Sequence, residues 1–127
     1  MMADRWEAQY GFWASFGIPA YEESSVPDRD ELQRLGITNY ITYQPMSAGF
    51  DRDTSGGASI WTRSDSWYQA DTLADTIEAR LKNGGEVVPY TGGMMWITAE
   101  APFAQNLGDP DDDKIKRKVL NVVWHFA

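Results

Sequence analysis

One segment of the chain is patterned as an amphipathic helix, and this pattern limits the folds that are available. The segment runs from about residue 66 to residue 83, and its apolar side chains recur at helical spacing on one face: Trp67, Ala70, Ala74, Ile77 and Leu81. Ser66 and Gln69 have the spacing of a capping box, and Gly84-Gly85 provides a left-handed stop. The opposite face carries polar residues that include Asp71 and Glu78. Because such a helix must bury its single apolar face, the fold needs a second layer against it.

Segments of alternating polarity predict that this second layer is a β-sheet. The clearest of them ends the chain, where Lys118, Leu120, Val122, Trp124 and Phe126 share one face. Asn39–Gln44 and Ala58–Arg63 alternate in the same way, and three further segments are predicted as short strands: Ile18–Tyr21, Glu86–Tyr90 and Met94–Ala99. The sequence leaves Ala101–Leu107 ambiguous, because Pro102 interrupts it.

A helix is also predicted at the start of the chain, over Ala3–Phe16. It contains Trp6, Tyr10, Trp13 and Phe16 at the spacing of one face. The order is therefore helix, strands, helix, strands. We predict an α+β fold in which one mixed or antiparallel sheet is packed by the N-terminal helix and the central helix. The 127 residues have room for a single domain.

Composition and charge exclude several classes of function. A net charge of −8 disfavours sequence-independent binding to nucleic acid, which needs cations to displace the counterions of phosphates. The chain has no cysteine, so it has neither disulfides nor thiolate metal sites. No apolar stretch is long enough to cross a bilayer, and no signal peptide is evident, so we expect synthesis in the cytoplasm without a membrane partner.

The inventory of reactive side chains does not favour an enzyme. The single histidine, His125, lies near the end of a predicted strand, where a structural or solvated role is more common than catalysis. The acidic run Asp109–Asp113 has the first alternating ligands of a calcium loop, but Lys114 stands at the glycine position and Leu120 at the terminal glutamate position. We expect no catalytic residues, no metal site and no cofactor.

Two polar segments are candidates for contacts with other molecules. Ala48–Gly57 is a glycine-rich stretch between two predicted strands, which suggests a hairpin with a flexible tip. Glu22–Thr38 is long for a connection in a compact domain, with at most a helical turn around Asp30–Leu35. Aromatic residues make up 13% of the chain, more than so small a core readily covers, so we expect some of them at an interface.

Short stretches from about Gly17 onward resemble, in order, those of a family of small proteins from phages with long non-contractile tails. The stretches are Ile18–Glu22, Tyr40–Tyr43, Ala58–Ser64, Ser66–Trp67, Ala74–Glu78, Gly93–Ile97, Ala101–Gln105, Asp109–Asp113 and Leu120–Asn121. These proteins are the tail terminators, also called tail completion or minor capsid proteins. The resemblance implies a hexameric ring at the head-proximal end of the tail tube. Such a ring ends tube polymerisation and presents the surface that joins the head.

The resemblance implies three kinds of partner, which are further copies of the chain, the tail tube protein and a head-closure or connector protein. DNA would pass through the ring without being gripped, and the protein would be part of the virion. For ring or tube contacts we predict the glycine-rich segment, Arg63 near a sheet edge, and the acidic turn, with Arg63 and the turn on two separate patches that meet between neighbours. The candidate residues are Phe50, Asp51, Arg52, Asp53, Arg63, Asp111 and Asp112. The alternatives are another head–tail junction protein, such as a head-closure or connector-adaptor subunit, and a host-directed acidic mimic of DNA.

Overall fold

The computed structural model describes residues 3–47 and 53–126, which form one mixed sheet with helices against it. The elements in chain order are α1 (Arg5–Ala14), β1 (Ala20–Glu22), a 3-10 turn (Glu23–Ser25), α2 (Arg29–Arg34), β2 (Asn39–Tyr43), β3 (Asp53–Arg63), α3 (Tyr68–Leu81), β4 (Glu86–Tyr90), β5 (Gly93–Gly108) and β6 (Ile115–Phe126). The strand order in the sheet is β1-β2-β3-β6-β5-β4. The β1–β2 pair is parallel and the other pairs are antiparallel. The predicted α+β class, with a sheet packed by the first and the central helix, is confirmed.

The core lies between one face of the sheet and the helices α1 and α3. Ala70, Ala74, Ile77 and Leu81 of α3 are buried, as the helical spacing predicted. From β6, the residues Leu120, Val122, Trp124 and Phe126 point into the same core, which confirms the predicted alternation. Because α1 and α3 both pack on this face, they do not cover the side chains of the opposite face of the sheet.

The N-terminal helix buries only part of the predicted face, since Trp13 is buried and Phe16 packs against the core but Trp6 and Tyr10 do not. Its buried residues are Ala8, Gln9, Phe12 and Trp13, whereas Trp6 and Tyr10 are 42% and 50% exposed. Gln9 is fully buried, and its amide donates to the Met46 carbonyl at 2.8 Å and accepts from the Met46 amide at 2.7 Å. This pair of bonds fixes the backbone of Met46 to α1. The spacing of aromatic residues did not predict the burial of Gln9, because a buried polar side chain does not fit an apolar pattern.

The capping box predicted at Ser66 and Gln69 is wrong. The helix starts one residue later than a Ser66 cap requires, at Tyr68. The Ser66 hydroxyl accepts a hydrogen bond from the backbone amide of Tyr68 at 3.0 Å. Asp71, expected on the solvent side of the helix, accepts a hydrogen bond from the Lys118 ammonium of β6. The side chain of Lys118 is 14% exposed, so this contact lies at the margin of the core.

Two segments prove to be parts of long strands, although the sequence predicted the first as a flexible tip and left the second ambiguous. Residues 53–57, predicted to be part of a flexible tip, are the first half of β3 and pair in register with β6. Residues 101–107 continue β5, with a shift of register between Ala99 and Ala104. The bulge contains the cis peptide bond Ala101–Pro102, and the Asn121 amide donates to the Pro102 carbonyl at 2.8 Å. A proline is accommodated because the bulge removes the need for its ladder hydrogen bond.

Candidate interaction surface

The sheet face opposite α1 and α3 carries a row of half-exposed side chains at one end. The register places Asp53 beside His125, His125 beside Trp96, and Trp96 beside Val87, across the four strands β3, β6, β5 and β4. Together with Met94, these residues form what we call the tryptophan patch. Val87, Met94 and Trp96 are 55%, 48% and 43% exposed. Three large apolar side chains side by side at the surface are typical of a contact site.

Polar contacts hold the tryptophan patch in one arrangement. The His125 imidazole lies 2.8 Å from the Asp53 carboxylate through Nδ1 and 2.9 Å from the Thr98 hydroxyl through Nε2. Its ring centre is 4.4 Å from that of Trp96, whose indole N–H donates to the Gly84 carbonyl. A tryptophan fixed in this way loses little conformational entropy on binding. Tryptophan is also one of the residues that most often dominate the energy of an interface.

The glycine pair after α3 supports the same patch. Gly84 and Gly85 have φ of +96° and +91°, as the predicted left-handed stop requires. A Cβ on Gly85 would lie 2.2 Å from the Ile97 carbonyl oxygen and 2.9 Å from Nε1 of Trp96. Gly85 therefore has a second role that the sequence does not show. Its missing side chain lets β5 and the Trp96 indole approach the helix terminus.

The opposite end of β3 carries a cluster of ion pairs, which we call the Arg–Asp corner. The Arg63 guanidinium donates to the Asp112 carboxylate at 2.8 Å, and Arg29 at the start of α2 lies 3.5 Å from the same carboxylate oxygen. Next to them, Lys114 pairs with Asp65. The backbone N–H of Lys114, followed by the Arg63 hydrogen bond, lowers the pKa of Asp112 below its usual value. These contacts therefore stabilise the charged form of Asp112.

The Arg–Asp corner shows that one prediction about the contact residues was wrong. Arg63 and Asp112 were assigned to two patches that meet between neighbouring subunits, yet they bind each other within one chain. Asp111 lies in the same turn, where its amide is bound by the Asp109 carboxylate at 2.8 Å. Of the glycine-rich candidates, Asp53 belongs to the tryptophan patch. Phe50, Asp51 and Arg52 lie outside the described residues.

A cleft with aromatic walls opens beside the Arg–Asp corner, between the α2 segment and strands β2 and β3. Its volume is about 220 Å³. The residues that line this aromatic cleft are Pro27, Arg29, Leu32, Gln33, Ile37, Thr38, Tyr40, Trp61, Thr62, Arg63 and Ile115. Tyr40 and Trp61 stack with ring centres 6.1 Å apart and an interplanar angle of 12°. The Arg117 guanidinium of β6 lies 4.7 Å from the centre of the Trp61 ring, and this cation–π contact holds the ring in place.

His125 links the Asp53 carboxylate to the Thr98 hydroxyl, and the acidic side chains of the described residues are not grouped as metal ligands. Over residues 3–47 and 53–126, no group of three or more His, Asp or Glu side chains is placed to hold a metal ion. The carboxylates of Asp109 and Asp112 accept amides of their own turn, from Asp111 and Lys114. The expected absence of a calcium site stays a prediction. Among the described helices, none has the length and apolar character to cross a membrane.

Sequence reasoning missed the tryptophan patch, although the signal was present. The alternation of Met94–Ile97 puts Met95 and Ile97 into the core, where both are fully buried. The same alternation puts Met94 and Trp96 on the opposite face, two large apolar residues on the side expected to be polar. What the sequence could not show is that β3 and β6 bring Asp53 and His125 beside them.

Comparisons of this chain with protein-family models, with curated proteins and with solved structures yield no match.

Proposed function

We propose that this chain is the ring subunit that ends the tail tube of a long-tailed phage and offers the surface to which the head is joined. The observation that carries the proposal is the pair of unlike contact surfaces on one subunit. The tryptophan patch is at one end of β3, and the aromatic cleft with the Arg–Asp corner is at the other end. A closed ring needs two different patches on every subunit, because each subunit meets its neighbour head to tail.

Among proteins that form rings, the ordered resemblance of short sequence stretches supports a tail terminator. Several of these stretches fall on the surfaces described above. Ala58–Ser64 covers the cleft end of β3, Gly93–Ile97 includes Trp96, and Asp109–Asp113 includes the acidic turn of the corner. The negative charge of the chain agrees with a conduit that lets DNA pass without binding it, because an acidic lumen repels phosphates.

The test is whether this protein limits tube length. Purified tail tube protein of the phage that encodes this chain is polymerised with and without it, and tube lengths are measured by negative-stain microscopy. We expect rings on tube ends and tubes that stop growing. Tubes that keep growing with no ring at their ends would refute the proposal.

A matched pair of variants connects this activity to the described surface. Met94→Glu places a charge on the exposed patch without removing any of the contacts that hold Trp96. It should abolish length control while the melting temperature is kept. Glu78→Gln on the exposed side of α3 is the control and should terminate tubes like the parent protein.

The alternatives give different results in the same assays. A head-closure or connector-adaptor subunit would bind the portal or connector ring and leave the length of the tubes unchanged. An acidic mimic of DNA would capture a nucleic-acid-binding protein from host lysate and would not bind tubes at all.

A further inference from the structure

We infer that the tryptophan patch of one copy of this chain binds the aromatic cleft of the next copy, and that this is the contact that closes the ring. The inference rests on the proposed function and names the interface within it. It replaces the pairing of Arg63 with the acidic turn of a neighbour, since Arg63 is 38% exposed and donates to Asp112 at 2.8 Å, whereas Arg29 is 64% exposed and 3.5 Å from that carboxylate.

The two surfaces are complementary in charge and in polarity. The charged residues that line the cleft in the described part of the chain are Arg29 and Arg63, both cationic. Asp112 is the carboxylate that both of them approach. The tryptophan patch is apolar apart from His125 and the Asp53 carboxylate, which is 66% exposed. The Arg29 side chain is 64% exposed and therefore remains able to meet a carboxylate of another chain.

The cleft has the size and the walls for one large side chain of the patch. A cavity of about 150 Å³ holds a benzene molecule, so a cleft of about 220 Å³ accepts a single bulky side chain. The patch residues line an open hollow of about 460 Å³, and Met94 is the lining side chain that fits this role. It is 48% exposed and unbranched, and its thioether makes favourable contacts with aromatic rings such as Tyr40 and Trp61. Trp96 is already held against His125 and would cover the rim.

The positions of the two surfaces require the contact to be between chains. β3 has eleven residues and joins Asp53 at the patch to Arg63 at the cleft. At roughly 3.3 Å per residue the two ends are about 33 Å apart. A patch therefore cannot reach the cleft of its own chain, and a head-to-tail contact repeats from subunit to subunit until the ring closes.

The absence of cysteine from the chain makes a direct test possible. A double variant carries Val87→Cys in the patch and Gln33→Cys at the cleft, and both positions are exposed. The control double variant carries Glu78→Cys with Gln33→Cys. Each is oxidised at the concentration at which light scattering detects oligomers, and the products are separated without reductant. We expect a ladder of linked multimers up to the size of the ring from the patch–cleft variant, and mainly monomer from the control.

A charge reversal gives an independent readout. Arg29→Asp should weaken association severalfold, as expected for an exposed ion pair, and adding Asp53→Arg to the same chain should restore most of it. Equal linking in test and control variants would overturn the inference, and so would dimers formed by Val87→Cys alone, which would indicate a patch-to-patch contact. Rings seen by microscopy without linking of the test variant would reject this contact and leave the proposed function standing. A strict monomer with and without tube would reject both.

Discussion

Arg63 and Asp112 are 49 residues apart in the sequence, and the guanidinium of the first donates to the carboxylate of the second at 2.8 Å within one chain. They meet because Arg63 is the last residue of β3 and pairs with Ile115, the first residue of β6, just after the acidic turn. The pair therefore fixes the turn to the sheet. It also leaves Arg29, which approaches the same carboxylate, as the more exposed cation of the corner.

The first prediction concerns the pH dependence that Asp112 gives to stability. Its pKa is lowered in the folded protein, by the Lys114 amide and then by Arg63, so its contribution is present above the ordinary value of 3.8 and is lost as the pH falls through the folded value. Asp112→Asn should therefore lower stability to urea at pH 7 and have much less effect well below pH 3.8. Asp111→Asn, in the same turn, is the control and leaves the Arg63 pair in place. Equal effects of Asp112→Asn at both pH values would contradict the prediction.

The second prediction concerns Ile77, which is fully buried where α3 meets the sheet. Ile77→Ala should lower the free energy of unfolding by about 2–5 kcal/mol, since it removes buried methyl groups and leaves a cavity. Urea denaturation followed by tryptophan fluorescence measures the change. Glu78→Gln, the exposed neighbour, should have almost no effect. An unchanged midpoint for Ile77→Ala would mean that this helix face is not the core.

The third prediction separates two costs at the glycine pair. Gly84→Ala meets no atom within 4 Å, so it reports only the strain of a positive φ, about 1–3 kcal/mol. Gly85→Ala has the same strain and also forces its Cβ against the Ile97 carbonyl and the Trp96 indole. It should be the more destabilising of the two and should also shift the tryptophan emission. Thermal melts and emission spectra of both variants test this, and equal melting temperatures would count against the close approach.

The fourth prediction concerns Tyr43, which is 1% exposed and stacks on Trp13 with ring centres 6.4 Å apart. Burial, followed by the charge of Glu22, raises the pKa of Tyr43 to about 12. Because the folded value is raised above 10.0, the contribution is complete below pH 10.0 and is lost as the pH rises through about 12. Tyr43→Phe should therefore make stability less sensitive to pH in this range. Urea denaturation from pH 9 to 12 measures it, and parallel curves for both proteins would oppose the assignment.

The sequence by itself determined the class of the fold and the apolar faces of the central helix and of the last strand. The face of α3 through Ala70, Ala74, Ile77 and Leu81, and the alternation of β6 from Leu120 to Phe126, follow from periods of 3.6 and 2 residues. These patterns are local, since each residue is judged against neighbours a few positions away. They were sufficient for the α+β class and for the layer in which each helix packs.

Only the tertiary structure decided which distant residues meet. The first half of β3 is rich in glycine and resembled a loop, yet its register with β6 makes it a strand and puts Asp53 beside His125. The Arg63–Asp112 pair and the tryptophan patch likewise depend on strand order, which brings together residues far apart in the chain. Local alternation excludes a shift of one residue, which would turn the apolar side chains out of the core, but it does not say which strand is the neighbour or where along it the pairing begins.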